Sequence, residues 1–302
     1  MERSVQPVVH LVDPPPERRP RRSRAGYALS APALIWLLVL FVVPMFAMAS
    51  LSTQTGSSLE GFRQTFRLAN FTEAISANSQ FLLRSFRNGA IVTVLALLLA
   101  YPVAYWIAFY GGRFKTVILF VLLLPFFISF VIRTVAWSFI LSDDGIVLGT
   151  LKNIGLLSDS YHVLGTTVAV VAGITYNLVP FTILPLYVSL EQIDRSLVEA
   201  AKDLYASRTQ AFLKVVFPLS LPGVFAAVLL TSIPAIGDYV NAAVLGGFAP
   251  GTSMIGNVIQ AEFLRNRDYP EGAALAFVLM ALMVVGAVLY ARLLGTERIT
   301  EG

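Results

Sequence analysis

Residues 191–223 read EQIDRSLVEAAKDLYASRTQAFLKVVFPLSLPG, and this stretch decides the fold. Leu197, Val198, Ala201 and Leu204 fall on one helical face while Glu199, Lys202 and Asp203 point elsewhere, which predicts an amphipathic helix. A turn and a second short helix then lead to Pro218 and Pro222, where an uncharged run begins. The flanking segments, 164–187 and 219–237, are apolar and long enough, at about 1.5 Å per residue, to enter a ~30 Å hydrocarbon layer as helices. An amphipathic connection between two such segments is the surface loop of an α-helical membrane protein.

Four more segments of the same kind lie at 27–51, 88–109, 116–141 and 272–294, so the chain is expected to be all-α with six transmembrane helices. The composition agrees: 56% of the 302 residues are hydrophobic and 13% charged, against about 25% charged in soluble domains, and the mean hydropathy is +0.73. Pro44, Pro102, Pro125, Pro180, Pro185 and Pro234 lie within the spans. In a bundle they are kinks whose freed carbonyls find other partners.

The first 24 residues, with Pro14, Pro15, Pro16 and six arginines, are too polar to fold alone and read as a disordered basic tail ahead of a transmembrane domain over 25–302. A secretory signal with its apolar region at 34–43 is the competing reading. The apolar run continues to Met48 without a small-residue cleavage site, which favours an uncleaved first span. Of the 22 basic residues, 14 fall on the side holding the tail, the 111–115 turn, the 187–214 connection and the C-terminus, and 7 on the other, with Arg133 inside a span. The basic side is cytoplasmic, so both termini are expected there. Among the outer connections, expected to form platforms of short helices, 261–270 reads as a helix that stops at Pro270.

Much chemistry is excluded. The chain has no cysteine, and its two histidines, His10 and His162, lie far apart and outside the spans, which leaves neither a thiolate nor a histidine metal centre nor a catalytic triad. The net charge of +4 comes from the tail and is no nucleic-acid footprint. There is no internal repeat and no soluble domain, so whatever drives this protein is on another chain.

By physics alone the 191–223 connection is an interfacial helix. It also resembles, in order and spacing, the EAA loop of the membrane subunits of ATP-binding-cassette importers, through Glu199, Ala200, Ala201 and then Val215, Val216, Phe217 and Pro218. The resemblance implies a coupling loop at about 188–217 that docks on a cytoplasmic ATPase, with Glu199, Ala200, Ala201, Asp203, Tyr205 and Pro218 as coupling residues. The seventh motif position, usually glycine, is Tyr205, so either the turn shifts to Ala206 and Ser207 or the tyrosine makes a contact of its own. The segments LPFFISFVIRTVAW (124–137), PAIGDYVNAAVLGG (234–247), MIGNVIQAEFL (254–264) and RDYPEGAALA (267–276) are similar to the first permease of spermidine/putrescine importers. That resemblance implies the type I importer architecture in a bacterial inner membrane, alternating access, and no cofactor in this chain, ATP being bound by the partner. It implies as partners a second homologous permease, an ATPase dimer, an extracytoplasmic substrate-binding protein and membrane lipid, with no nucleic acid.

A polyamine path needs carboxylates and aromatic faces. Asp238 lies sixteen residues beyond Pro222, about 24 Å along a helix, and follows Pro234 and Gly237, where a helix can break. The alternative is that it caps the next segment, and Ala242 and Ala243 stand where related permeases place a second acid. Tyr239, Tyr101, Tyr105, Trp137 and Tyr176 combine rings with polar handles near prolines, glycines or charges. Trp36, Phe41 and Phe120 read as lipid-facing or packing residues. Arg133 reads as structural, snorkelling outward or pairing with Asp143 or Asp144. The rival classes are import of another small solute by the same machinery, an ion-coupled carrier, which would show acidic or histidine relays within its spans, and a membrane-embedded enzyme.

Overall fold

The structure, a computed structural model, describes residues 24–294 apart from Phe248 and Pro250, and only the backbone of residues 24–30, 293 and 294. The tail expected at residues 1–24 lies, up to residue 23, outside the described residues.

Helix α1 (Arg24–Ser52) leads to a hairpin of β1 (Gln54–Ser57) and β2 (Gly61–Gln64), antiparallel with Gln54 opposite Gln64 and Ser57 opposite Gly61. Helix α2 (Ala69–Tyr110) follows. Its 42 residues extend about 63 Å, twice a hydrocarbon layer, so the second span is continuous with much of the connection before it. Asn70 Nδ2 ties its first turn to the hairpin by donating to the carbonyls of Ser52 (3.0 Å) and Gln54 (2.8 Å).

The third span is not one helix. Helix α3 (Lys115–Leu123) tightens into a 3₁₀ turn at Leu124–Phe127, the chain extends through Ile128 and Ser129, and α4 (Phe130–Ile140) leaves at 88°. Pro125 is the cause: it cannot donate into an α-helix and sits in the first turn of the 3₁₀ segment. Among the described residues five helices are long and apolar enough to cross a membrane, or six if this bent pair is one span.

After α5 (Leu148–Asn153) come α6 (Thr167–Glu191), α7 (Arg195–Asp203) and α8 (Arg208–Ala211). A π-turn at Phe212–Val216 carries α8 into α9 (Phe217–Ile236), so the fifth span begins earlier than residue 219. Helices α10 (Val240–Gly246) and α11 (Ile255–Ala261), a second π-turn at Glu262–Asn266 and α12 (Tyr269–Leu294) complete the chain. The helix expected to stop at Pro270 ends earlier, at Arg267, which takes the left-handed conformation (φ 54°). Pro270 instead begins α12, where its missing N–H costs nothing.

Small residues set the packing. Ala100, Ala104 and Ala108 recur every fourth position on α2 and let Ile183, Leu186 and Leu190 of α6 and Ala227 of α9 close over them. A Cβ on Gly89 would lie 2.5 Å from Ile236, so this crossing of α2 with α9 needs glycine.

Candidate functional site

Asp194 caps α7, its carboxylate accepting the Ser196 N–H at 2.9 Å. Ser207 and Gln210 form a reciprocal capping box on α8. Between them the chain closes as a Schellman turn: the Tyr205 N–H donates to the Lys202 carbonyl (2.9 Å) and the Ala206 N–H to the Ala201 carbonyl (3.0 Å). Tyr205 itself occupies the left-handed position, with φ 61°. The turn is therefore not displaced to Ala206 and Ser207, and the tyrosine accepts a conformation that costs a non-glycine residue about 1 kcal/mol.

The amphipathic face of α7 is divided. Val198, like Ile193, packs against the buried cluster that includes Leu190 and Val216, whereas Leu197, Leu204 and Tyr205 stay exposed, Tyr205 at 96%. Glu199, Ala200 and Asp203 are exposed and Ala201 half-buried. Arg195 fastens the helix to the end of α2, donating to the Ala108 carbonyl (3.0 Å) and lying over the Phe109 ring. Nearby, Lys115 pairs with Glu191. Pro218 sits half-buried in the first turn of α9.

Tyr101 and Tyr105 belong to this end of the bundle. Tyr101 shares a 2.7 Å hydrogen bond with Ser220, and both rings meet Phe212 of the π-turn edge-on, at 5.8 and 5.6 Å. They join α2 to the segment leading out of the loop.

Farther along the bundle lies a polar chain that the sequence reading missed. Asn241 Oδ1 accepts from Thr134 Oγ1 (3.1 Å) and Asn177 Nδ2 (3.2 Å), and all three residues are buried. Asp238 extends it: Oδ1 accepts the Asn241 N–H and Oδ2 the Asn241 side-chain amide, both at 2.8 Å. The carboxylate thus caps α10 and anchors the network. Tyr239 is exposed at the break between α9 and α10, and its carbonyl accepts from Asn257 Nδ2 at 2.8 Å. Asparagine in the middle of an apolar run, as at Asn177, was the available signal for this network.

Trp137 and Tyr176 meet edge-to-face at 5.2 Å in the wall of a cavity of about 800 Å³, which Arg133 also lines. Arg133 neither snorkels nor pairs with the outer acids. It is 8% exposed, while Asp143 is engaged by Lys152 (2.8 Å) and His162 (2.7 Å), which hold its carboxyl below the usual range. The substrate-path candidates therefore fall into three separate places, and only Asp238 joins the buried network. Among the described residues no group of three His, Cys, Asp or Glu side chains could hold a metal.

A family model described as "Binding-protein-dependent transport system inner membrane component" matches residues 93–295. The spermidine/putrescine transport system permease protein PotB of Haemophilus influenzae (strain ATCC 51907 / DSM 11121 / KW20 / Rd) is 35% identical over 260 residues, covering 85% of this chain and 90% of that protein. PotB of Escherichia coli (strain K12) is 33% identical over 258 residues, 85% of this chain and 93% of that protein. A crystal structure of a bacterial ABC transporter that imports the acidic polysaccharide alginate holds a similar chain, with TM-score 0.71, 20% identity, and 93% of this chain and 97% of that one covered. A second structure, of a bacterial alginate transporter in complex with an alginate pentasaccharide-bound periplasmic protein, gives TM-score 0.70 at 20% identity, with 93% and 96% covered. At that identity the two structures speak for the fold alone. The chain belongs to the family of binding-protein-dependent transport system inner membrane components: it is a multi-pass inner-membrane permease subunit of an ABC importer, and not an enzyme.

Proposed function

We propose that the chain is the first permease of a polyamine importer. The observation that carries this reading is the 33–35% identity, over 85% of the chain, to permeases named for spermidine and putrescine. The end of the bundle bearing α7 and α8 is cytoplasmic, as are both termini, in line with the 14 to 7 division of basic residues. There the exposed side of α7, with Glu199, Ala200, Asp203, Leu204 and Tyr205, docks on an ATPase dimer that binds the ATP, and Ala201 and Pro218 connect the docked helix to the span. A substrate-binding protein delivers solute to the opposite end, and a second permease completes the path.

The mechanism is alternating access. Movement of the ATPase pulls α7, which Arg195 couples to α2 and the π-turn couples to α9. Single π-turns recur at functional positions because they change register cheaply, and Tyr101 and Tyr105 sense this one through Phe212. Asp238 and Tyr239 face the polyamine at the break between α9 and α10. Trp137 and Tyr176 are assigned elsewhere, since they share their cavity with a cation. The test is uptake by the complete importer in proteoliposomes: ATP-dependent accumulation of labelled spermidine or putrescine is expected. Transport confined to a neutral or anionic solute would overturn the polyamine assignment.

A further inference from the structure

Arg133 stands on the first turn of α4, just past the bend. Asn177, ten residues into α6 and so about 15 Å from that helix's start, marks the depth as near the middle of a ~30 Å layer; both residues line a second cavity of about 440 Å³. The guanidinium faces the rings of Phe126 (5.2 Å) and Phe130 (5.9 Å), but its Nε and Nη1 donate to nothing, and Asn177 Oδ1 accepts from nothing. The larger cavity beside it is walled chiefly by aliphatic and aromatic side chains such as Leu98, Val121 and Tyr176. Its rim is apolar and open, with Leu98, Leu99 and Val121 more than half exposed.

A guanidinium does not shed its proton. Neither lipid tails nor a dry cavity supply acceptors for its N–H groups. Snorkelling is ruled out by burial and depth. Asp143 is already engaged by Lys152 and His162, and Asp238 by Asn241, and among the described residues no ion pair joins Arg133 to Asp144. A polyamine in the cavity would be repelled. What remains is an anion brought by whatever covers the open rim, and an apolar rim around one buried cation is complementary to an apolar helix carrying one carboxylate.

We infer that Arg133 pairs with a carboxylate on a membrane span of the second permease subunit, seated over the two cavities. The inference rests on the second permease proposed above and gives that partner its chemistry: an Asp or Glu at mid-membrane, with a neighbouring donor for Asn177 Oδ1. Arg133 is then an assembly residue that holds the two permeases in register, and the cavity with Trp137 and Tyr176 is part of their interface.

The test is co-purification of a tagged second permease with this chain from membranes that hold the whole importer. The wild type should retain it. Arg133→Gln should lower recovery by about tenfold or more, and Arg133→Lys by less. Arg133→Glu should lose the partner and regain it when the matching Asp or Glu of the second permease is exchanged for arginine, a rescue that a misfolded variant cannot give. Undiminished recovery with Arg133→Gln, or no exchange that restores Arg133→Glu, would overturn the inference. A wild-type importer without any second permease would overturn the pairing reading as well, so the two failures are distinct.

Discussion

Asn241 binds both oxygens of the Asp238 carboxylate, one through its backbone N–H and the other through its side-chain amide. Its own Oδ1 is committed to Thr134 and Asn177, so the amide cannot turn over without breaking two further bonds. Asp238→Asn, though isosteric, therefore sets two amide donors against each other or gives up the cap on α10. Either outcome costs about 1–3 kcal/mol. Asn241→Ala supplies the control, because it loosens the network and keeps the charge. Polyamine uptake is expected to fall about tenfold or more in Asp238→Asn, equivalent to ~1.4 kcal/mol in the barrier, and much less in Asn241→Ala, while both melt earlier. Equal loss of uptake in the two variants would make Asp238 a cap and nothing more.

Tyr205→Gly should be tolerated. The position requires positive φ, the side chain is almost wholly exposed, and glycine relieves about 1 kcal/mol of backbone strain. Amide exchange across α7 should slow or stay unchanged, and uptake should persist. If uptake collapses while α7 remains protected, the tyrosine ring is itself a docking contact.

Glu199→Lys reverses a charge on the exposed side of α7 without touching its anchors, Asp194, Arg195 and Val198. The protein should remain in the membrane while ATPase association and stimulated hydrolysis drop severalfold or more. A fully coupled Glu199→Lys importer would remove α7 from the docking surface.

Membrane sidedness can be read with two tags. The hairpin tip is the better outer site, since Leu59 is exposed, whereas a Cβ at Gly56 would run into the Gly61 carbonyl. An epitope at Leu59 and a reporter after Leu294 should report opposite faces, external and cytoplasmic. Both on one side would refute the proposed orientation.

The spans and the amphipathic loop were legible in the sequence because hydropathy and helical period are local properties. The bend at Ile128 was half legible: Pro125 announced a kink, but its size depends on what α4 packs against, α6 and α10. The left-handed Tyr205 shows the opposite case, where residue type argues against the turn and the fold imposes it. The chain Asp238, Asn241, Asn177, Thr134 was illegible as a unit, since its members are up to 107 positions apart and meet only when α4, α6 and α10 converge. Arg133 was noticed and read as structural, but its lack of an acidic partner was not legible, because the sequence does not reveal that Asp143 is already claimed by Lys152 and His162.

The broken third span bears on how the chain is made. α3 has 9 residues and α4 has 11, about 14 and 16 Å of helix. Neither is long enough to partition into a bilayer as an autonomous unit during synthesis, and α4 carries a charge that an isolated helix would hold out of lipid. Commitment of this segment to the membrane must therefore wait for α6, whose Asn177 donates to Thr134, and for α10, whose Asn241 accepts from it. Topogenesis here is a tertiary event: truncation before residue 240 should leave the 115–140 segment accessible from the aqueous phase.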